Sequence, residues 1–290
     1  MPSWARGLEP IERRGDARLL PGLAAYSFRQ HFPVSRGRDQ DPREPAMTME
    51  GFVDYCAEQR VAAEVTAYFF EQPDEDSTYT AIRRHAFLRG VTLSGTAIGN
   101  DFTVTDNNAL AAQMADAKRW IDRAALLGAP QVRVFAGRGA DLEWEQAIDR
   151  AAAALKDCAD YAGERGIMLG LENHGGIVAE ADQLLELLRR VDSPWVGICL
   201  DSGNFRTEDP YADMEKCAPW AINMQLKVMV HPRGGDDEET DFERVLAMLR
   251  AVNYQGYVVL EYEEPEDPYV AVPRYLEQLR PLLDNGVVAG

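Results

Sequence analysis

The sequence is poor in soft metal ligands, with four cysteines and four histidines in 290 residues. Cys56, Cys158, Cys199 and Cys217 are far apart and form no C-x-x-C pair, which speaks against a thiolate zinc cage and against a disulfide framework. They read as reduced thiols inside apolar segments, and the expected compartment is cytoplasmic. No run of about eighteen apolar residues occurs, so no membrane-spanning helix is expected. Arg13-Arg14 is followed by charge and proline rather than by a signal-type apolar segment. Basic charge is also scarce. Against 48 Asp and Glu stand 30 Lys and Arg, giving a formal net charge of -18 and a pI near 4.6. Nucleic acid and anionic membranes are polyanions that need a basic face, so neither is an expected partner. A small molecule is, and the composition is compatible with a homo-oligomer.

What is present is a chain that must fold: 46% hydrophobic and 27% charged, long enough for one large α/β domain or two small ones. Residues 1–20 carry many charges and no period, and read as an N-terminal extension; 21–290 read as one domain. Strand-like runs recur at Gly22–Phe28, Ala63–Tyr68, Val91–Ile98, Gln131–Phe135, Ile167–Leu171, Val196–Leu200, Ala221–Val230 and Gly256–Glu261. Helical spacing follows each run, at Met49–Gln59, Thr78–Arg89, Asn108–Leu127, Glu143–Gly163, Ala181–Val191, Pro210–Cys217, Asp241–Val252 and Tyr269–Leu283. Gly128-Ala129-Pro130 is a strong helix stop, and Thr240-Asp241-Phe242-Glu243 fits a capping box. Eight strand-then-helix units in about 260 residues predict α/β architecture as a single (β/α)8 TIM barrel. The alternative, a doubly wound open sheet, lacks a G-x-G-x-x-G fingerprint after every strand.

Three apolar runs end directly on an acid: Leu171-Glu172, Leu200-Asp201 and Leu260-Glu261. In a closed barrel these ends converge on one mouth, where uncompensated like charges are costly. A divalent cation resolves the conflict, and the oxygen-rich set suits Mn²⁺, Mg²⁺ or Co²⁺. Gln225, in Asn223-Met224-Gln225-Leu226-Lys227, can supply a neutral fourth oxygen. The competing reading is purely structural, with each acid capping a helix N-terminus.

L-E-N-H-G-G, L-D-S-G-N-F, N-M-Q-L-K-V and V-L-E-Y-E, in that order, resemble the sugar phosphate isomerase/epimerase family, the xylose isomerase-like TIM barrels; A-A-Y-S-F-R, A-I-G-N-D-F and R-V-F-A-G resemble its early strand ends. The resemblance implies one divalent metal, usually Mn²⁺, held by Glu, Asp, His and Glu, the two glutamates also serving as acid and base. These fall on Glu172, Asp201 and Glu261, with Gln225 where the family most often has His; a branch of the family carries Gln there. The amide oxygen leaves the metal harder and more Lewis-acidic toward a keto oxygen.

The implied chemistry is proton abstraction next to the keto group of a sugar or keto-glycoside, with Glu172 and Glu261 as the natural pair. His174 and Lys227 are further proton carriers or groups orienting a ligand; a histidine in a cleft titrates near neutral pH, and Lys227 is a charge partner for the acids. Asn204 and Arg206 could bond sugar hydroxyls, with His231 and Arg233 on the loop after the seventh strand. Tyr26, Tyr68, Phe102 and Phe135 could wall the site or simply pack. Arg233-Gly234-Gly235 could cradle a phosphate, but the acidic run Asp236-Asp237-Glu238-Glu239 opposes one, so the expected substrate is an unphosphorylated sugar or glycoside. Glu263 could be mistaken for the ligand Glu261. The alternatives are a lyase that cleaves 3-keto-glycosides by β-elimination, a metal-free binding protein, and an abasic-site endonuclease; the last is opposed by the few histidines and the acidity.

Overall fold

The computed structural model describes residues 9–139 and 141–284. Eight strands close into a barrel: β1 (Arg18–Ala24), β2 (Ala62–Thr66), β3 (Leu93–Ala97), β4 (Gln131–Val134), β5 (Met168–Glu172), β6 (Val196–Asp201), β7 (Ala221–Lys227) and β8 (Gln255–Glu261). Neighbours pair in parallel all the way round, β1 closing the ring between β8 and β2. The helices α1 (Met49–Gln59), α2 (Asp76–Arg89), α3 (Asn107–Leu127), α4 (Trp144–Gly163), α5 (Ala181–Val191), α6 (Pro210–Cys217), α7 (Phe242–Ala251) and α8 (Pro268–Asp284) follow in turn. This is the single (β/α)8 barrel expected from the strand count.

Local chemistry sets the boundaries. Asp106 caps α3 by accepting from Ala109 N, and Gly128 ends it at φ 71°, a conformation that costs glycine nothing. The first strand starts at Arg18 rather than Gly22, because its first four residues pair with β8 alone, and Ala25–Phe28 form a 3-10 turn instead of strand. Two of the described residues before it are anchored: Trp220 Nε1 donates to Glu9 O at 2.9 Å, and Arg13 reaches Pro219 O at 3.2 Å. The third strand starts at Leu93, since Val91 N is still engaged by Ala86 O at the end of α2. The seventh strand stops at Lys227; Met229–Val230 leaves the barrel to pair with Glu238–Glu239. The expected capping box at Thr240 is also displaced by one residue: Asp241 is the cap, accepting from Arg244 N at 2.9 Å. A carboxylate outcompetes a hydroxyl there, and a true capping box instead forms at Glu180 with Gln183.

The barrel interior is partly polar. Glu64, Thr96, Arg133, Asn223 and Gln225 are buried within it. Gln131 fits only because position 95 is glycine, where a Cβ would meet Gln131 Nε2 at 1.9 Å. No helix of the described residues is long and apolar enough to cross a membrane.

Candidate active site

Four consecutive strands, β5 to β8, end on the residues singled out by the sequence. Glu172 closes β5 and Asp201 closes β6; Asp201 is paired in register with Gln225 on β7, and Glu261 at the end of β8 with Lys227. All four acids and amides are buried, between 0% and 8% exposed, which is unusual for charged groups and requires partners.

The partners are specific. Glu172 Oε2 lies 2.8 Å from Arg133 Nε in an ion pair, and its Oε1 accepts from Asn204 Nδ2 at 2.8 Å. Arg133 is itself held by Ile98 O at 2.9 Å and lies over the Phe135 ring. Asp201 Oδ1 accepts from Gly203 N at 2.8 Å, and Asn173 clamps the Asp201 backbone by bonding both its N–H and its carbonyl. The Lys227 ammonium stands 3.1 Å from Glu261 Oε2 and 3.6 Å from Asp201 Oδ2, and also contacts Glu263. Glu263 is thus a partner of Lys227.

Burial is the main force on these groups. It pushes Glu172, Asp201 and Glu261 above the usual carboxylate range, against the pull of Lys227 on all three and of Arg133 on the glutamates. For Lys227 burial works the other way, but Asp201, Glu261 and Glu263 overcome it and hold the ammonium charged. Burial also opposes ionisation of Glu263, yet Lys227 beside it brings its pKa below the ordinary value. His174 departs from expectation: burial first, then the charges of Arg133 and Lys227, lower it to about 4. It is a neutral imidazole near pH 7, its ring 4.2 Å from that of Phe135.

Asp201, Glu261 and Glu263 are disposed about Lys227 while Glu172 is held by Arg133, and among the described residues no group of three His, Cys, Asp or Glu side chains is gathered as a metal requires. The donor chemistry nevertheless fits a hard divalent cation. Two buried acceptors on paired strands lack a hydrogen-bond donor: Gln225 Oε1, and Asp201 Oδ2, which meets only the Lys227 ammonium at 3.6 Å; such acceptors are expensive unless something positive meets them.

The remaining candidates divide. Asn204, Arg206, Lys227, His231, Glu261 and Glu263 line one cavity, with His231 Nδ1 2.8 Å from Asp237. Phe135 and His174 line a second, of about 680 Å³, that extends to Arg36, Gln113 and Arg138. Tyr68 packs edge-on to Tyr26 with Arg36 over its ring, whereas Phe102 is fully buried and lines neither. Arg233 is exposed and turned to Arg206 O and Glu180. Of the other histidines, His31 is buried beside Arg43 O and Pro45 O, and His85 on α2 pairs with Asp54. Sequence reasoning missed Glu64, Arg133 and Asn223. Glu64 carried a signal, an acid enclosed by apolar residues in A-A-E-V-T.

Residues 57–279 match the family described as xylose isomerase-like TIM barrel. The rhizopine catabolism protein MocC of Rhizobium meliloti is 30% identical over 154 residues, 45% of this chain and 46% of that protein. The chain spans about half the length of the curated relatives it matches. A D-psicose 3-epimerase structure superposes with a TM-score of 0.71 at 18% identity, covering 93% of this chain and 100% of that one. The 3-keto-D-glucoside 4-epimerase YcjR of E. coli gives 0.70 at 15%, covering 91% and 99%. A xylose isomerase-like TIM barrel protein from Mycobacterium smegmatis, in complex with magnesium, gives 0.68 at 18%, covering 92% and 97%. At these identities the likeness is one of fold.

Proposed function

The chain belongs to the xylose isomerase-like TIM barrel family, and from that premise we propose that it is a divalent-metal-dependent isomerase or epimerase acting next to a keto group of a sugar or keto-glycoside. The observation that carries this reading is the buried, donorless amide oxygen of Gln225, on the strand paired with the one that ends at Asp201 and set between Glu172 and Glu261 in the barrel order. Glu172, Asp201, Gln225 and Glu261 would hold the ion, with Mn²⁺ preferred and Mg²⁺ or Co²⁺ acceptable to the same oxygens. When bound, the metal polarises a substrate oxygen and acidifies the neighbouring C–H.

The protein supplies the rest. A carboxylate that moves a proton must be fixed in place, and Glu172 is, by Arg133 and Asn204. Lys227 holds Glu261. One glutamate removes the α-proton and the other returns it on the opposite face, while Asn204 and Arg206 are within the cavity to bond hydroxyls. His174, neutral and against Phe135, can donate or accept one hydrogen bond at the mouth. The acidic chain favours an uncharged sugar over a phosphate ester. Four buried free thiols support a reducing, cytoplasmic setting.

A second reading, the lyase, is favoured by the cavity of about 680 Å³ beyond His174, ample for an aglycone leaving group as well as a sugar ring. Incubating the protein with Mn²⁺ and a 3-keto-glycoside in D₂O separates the two. Deuterium incorporation with the glycosidic bond intact supports the epimerase, released aglycone supports the lyase, and neither, with several keto sugars, removes both.

A further inference from the structure

Gln225 is buried with its amide nitrogen against Glu64 Oε1 and its amide oxygen facing no donor. The other Glu64 oxygen accepts from Asn223 Nδ2 at 2.9 Å. Glu64 belongs to β2, and both amides belong to β7, so this contact crosses the barrel lumen rather than running along one strand. Burial, with the charge of Glu261, raises the Glu64 pKa to about 7, while the hydrogen bonds from the two amides favour its ionised form; that carboxylate accepts hydrogen bonds and donates none, so an amide placed against it presents its NH₂. The amide oxygen is then turned the opposite way. Asn223 fixes the second carboxylate oxygen, which prevents Glu64 from rotating away from Gln225.

We propose that Glu64 is a positioning residue, which orients the Gln225 amide so that Oε1 is presented to a divalent cation beside Asp201. The inference rests on the metal reading above and adds what makes glutamine a usable ligand. An unrestrained amide presents nitrogen as readily as oxygen, and an NH₂ group turned toward a cation repels it. Imidazole has no such ambiguity, because either ring nitrogen can donate electrons. Glutamine in this place therefore needs a dedicated acceptor behind it, and Glu64 is the buried acceptor that meets it. The arrangement also bears on metal choice: an oriented amide oxygen is a hard donor, suited to Mn²⁺ or Mg²⁺ over Zn²⁺.

The test is calorimetric titration of Mn²⁺, and separately of Zn²⁺, into the full chain stripped with chelator, comparing wild type with Glu64→Gln. The substitution puts an NH₂ within reach where only carboxylate oxygens stood, and lets the Gln225 amide flip. A loss of Mn²⁺ affinity of about ten- to a hundredfold is expected, the usual reach of groups that orient metal ligands. The Mn²⁺-to-Zn²⁺ affinity ratio is expected to fall as well; a merely structural weakening would lower both affinities alike, and that outcome overturns the proposal. Unchanged Mn²⁺ affinity in Glu64→Gln overturns it too while leaving the metal reading intact. A wild-type protein that binds no divalent ion overturns both. Should Glu64→Gln fail to fold, Glu64→Asp carries the same measurement, because its charge is kept but its carboxylate ends one carbon–carbon bond short of Gln225. Wild-type affinity and ratio in folded Glu64→Asp would equally end the proposal.

Discussion

Arg133 Nε lies 2.8 Å from Glu172 Oε2, and both side chains are less than a tenth exposed. The pair is deep enough that neither charge is tolerable without the other. Replacing Arg133 with Met leaves Glu172 buried without its ion-pair partner, held by Asn204 alone, so that it takes up a proton and can no longer act as a base. The expected result is a stability loss of about 3–5 kcal/mol in urea denaturation, typical of breaking a buried ion pair from one side, together with turnover that recovers only as pH is raised. Full turnover at pH 7 in Arg133→Met would show that Glu172 does not need its partner to stay ionised.

His174 gives a pH prediction of known sign. Its pKa is about 4 when folded, through burial and the nearby charges of Arg133 and Lys227, against about 6.5 when unfolded. Between these values the unfolded chain binds more protons, so His174 makes stability rise with pH in that window and fall as pH drops through it. Its contribution is complete above about pH 6.5. His174→Gln should therefore lose less stability than wild type between pH 7 and pH 5 in paired denaturation curves. The same depression means that no limb near pH 6.5 in the rate profile should belong to His174; a limb there that vanishes in His174→Gln would contradict a neutral imidazole.

Much of this is legible in the sequence because the signals are local. An apolar run ending on an acid, as in Leu171-Glu172 or Leu200-Asp201, names both the strand and the side of the barrel its end faces. Gly128 ends α3 as its backbone freedom requires. The groups that hold the acids are not legible, since their partners are remote. Glu64 and Asn223 stand 159 positions apart and meet only when the barrel closes. Arg133, within Q-V-R-V, reads as an ordinary outward charge until β4 is placed beside β5, where it reaches Glu172. The strand ends at Ala24 and Lys227 escape a sequence reading for a different reason: apolar residues continue past both, but the chain turns out of the barrel there, and periodicity does not register a turn made by apolar residues.

Substitutions among the four oxygen donors should separate charge from donor type. Asp201→Asn removes a negative charge from a site whose affinity depends on charge count, and should lose most bound Mn²⁺ in elemental analysis after dialysis. Gln225→His replaces an amide with the stronger imidazole donor and should keep Mn²⁺ while gaining Zn²⁺. Equal metal content in Asp201→Asn and wild type would exclude Asp201 as a ligand. Glu172→Gln and Glu261→Gln should each lower turnover at saturating metal, by about a hundredfold or more, because an amide can neither take nor return a proton.

Lys227 provides the last prediction, because its ammonium lies among the acids that a divalent ion would have to reach. It is 3.1 Å from Glu261 and 3.6 Å from Asp201, and it contacts Glu263. Lys227→Met removes the one cation common to three acids and leaves their repulsion uncompensated in a buried setting. The metal-free variant should melt below the wild type. Mn²⁺ should then raise its melting temperature by more than it raises that of wild type, since ligand stabilisation grows with affinity and the variant offers the ion uncompensated carboxylates. Thermal melts of both proteins across a Mn²⁺ series measure this directly. A smaller Mn²⁺ shift in Lys227→Met than in wild type would mean that Lys227 helps to assemble the cation site rather than competing for its acids.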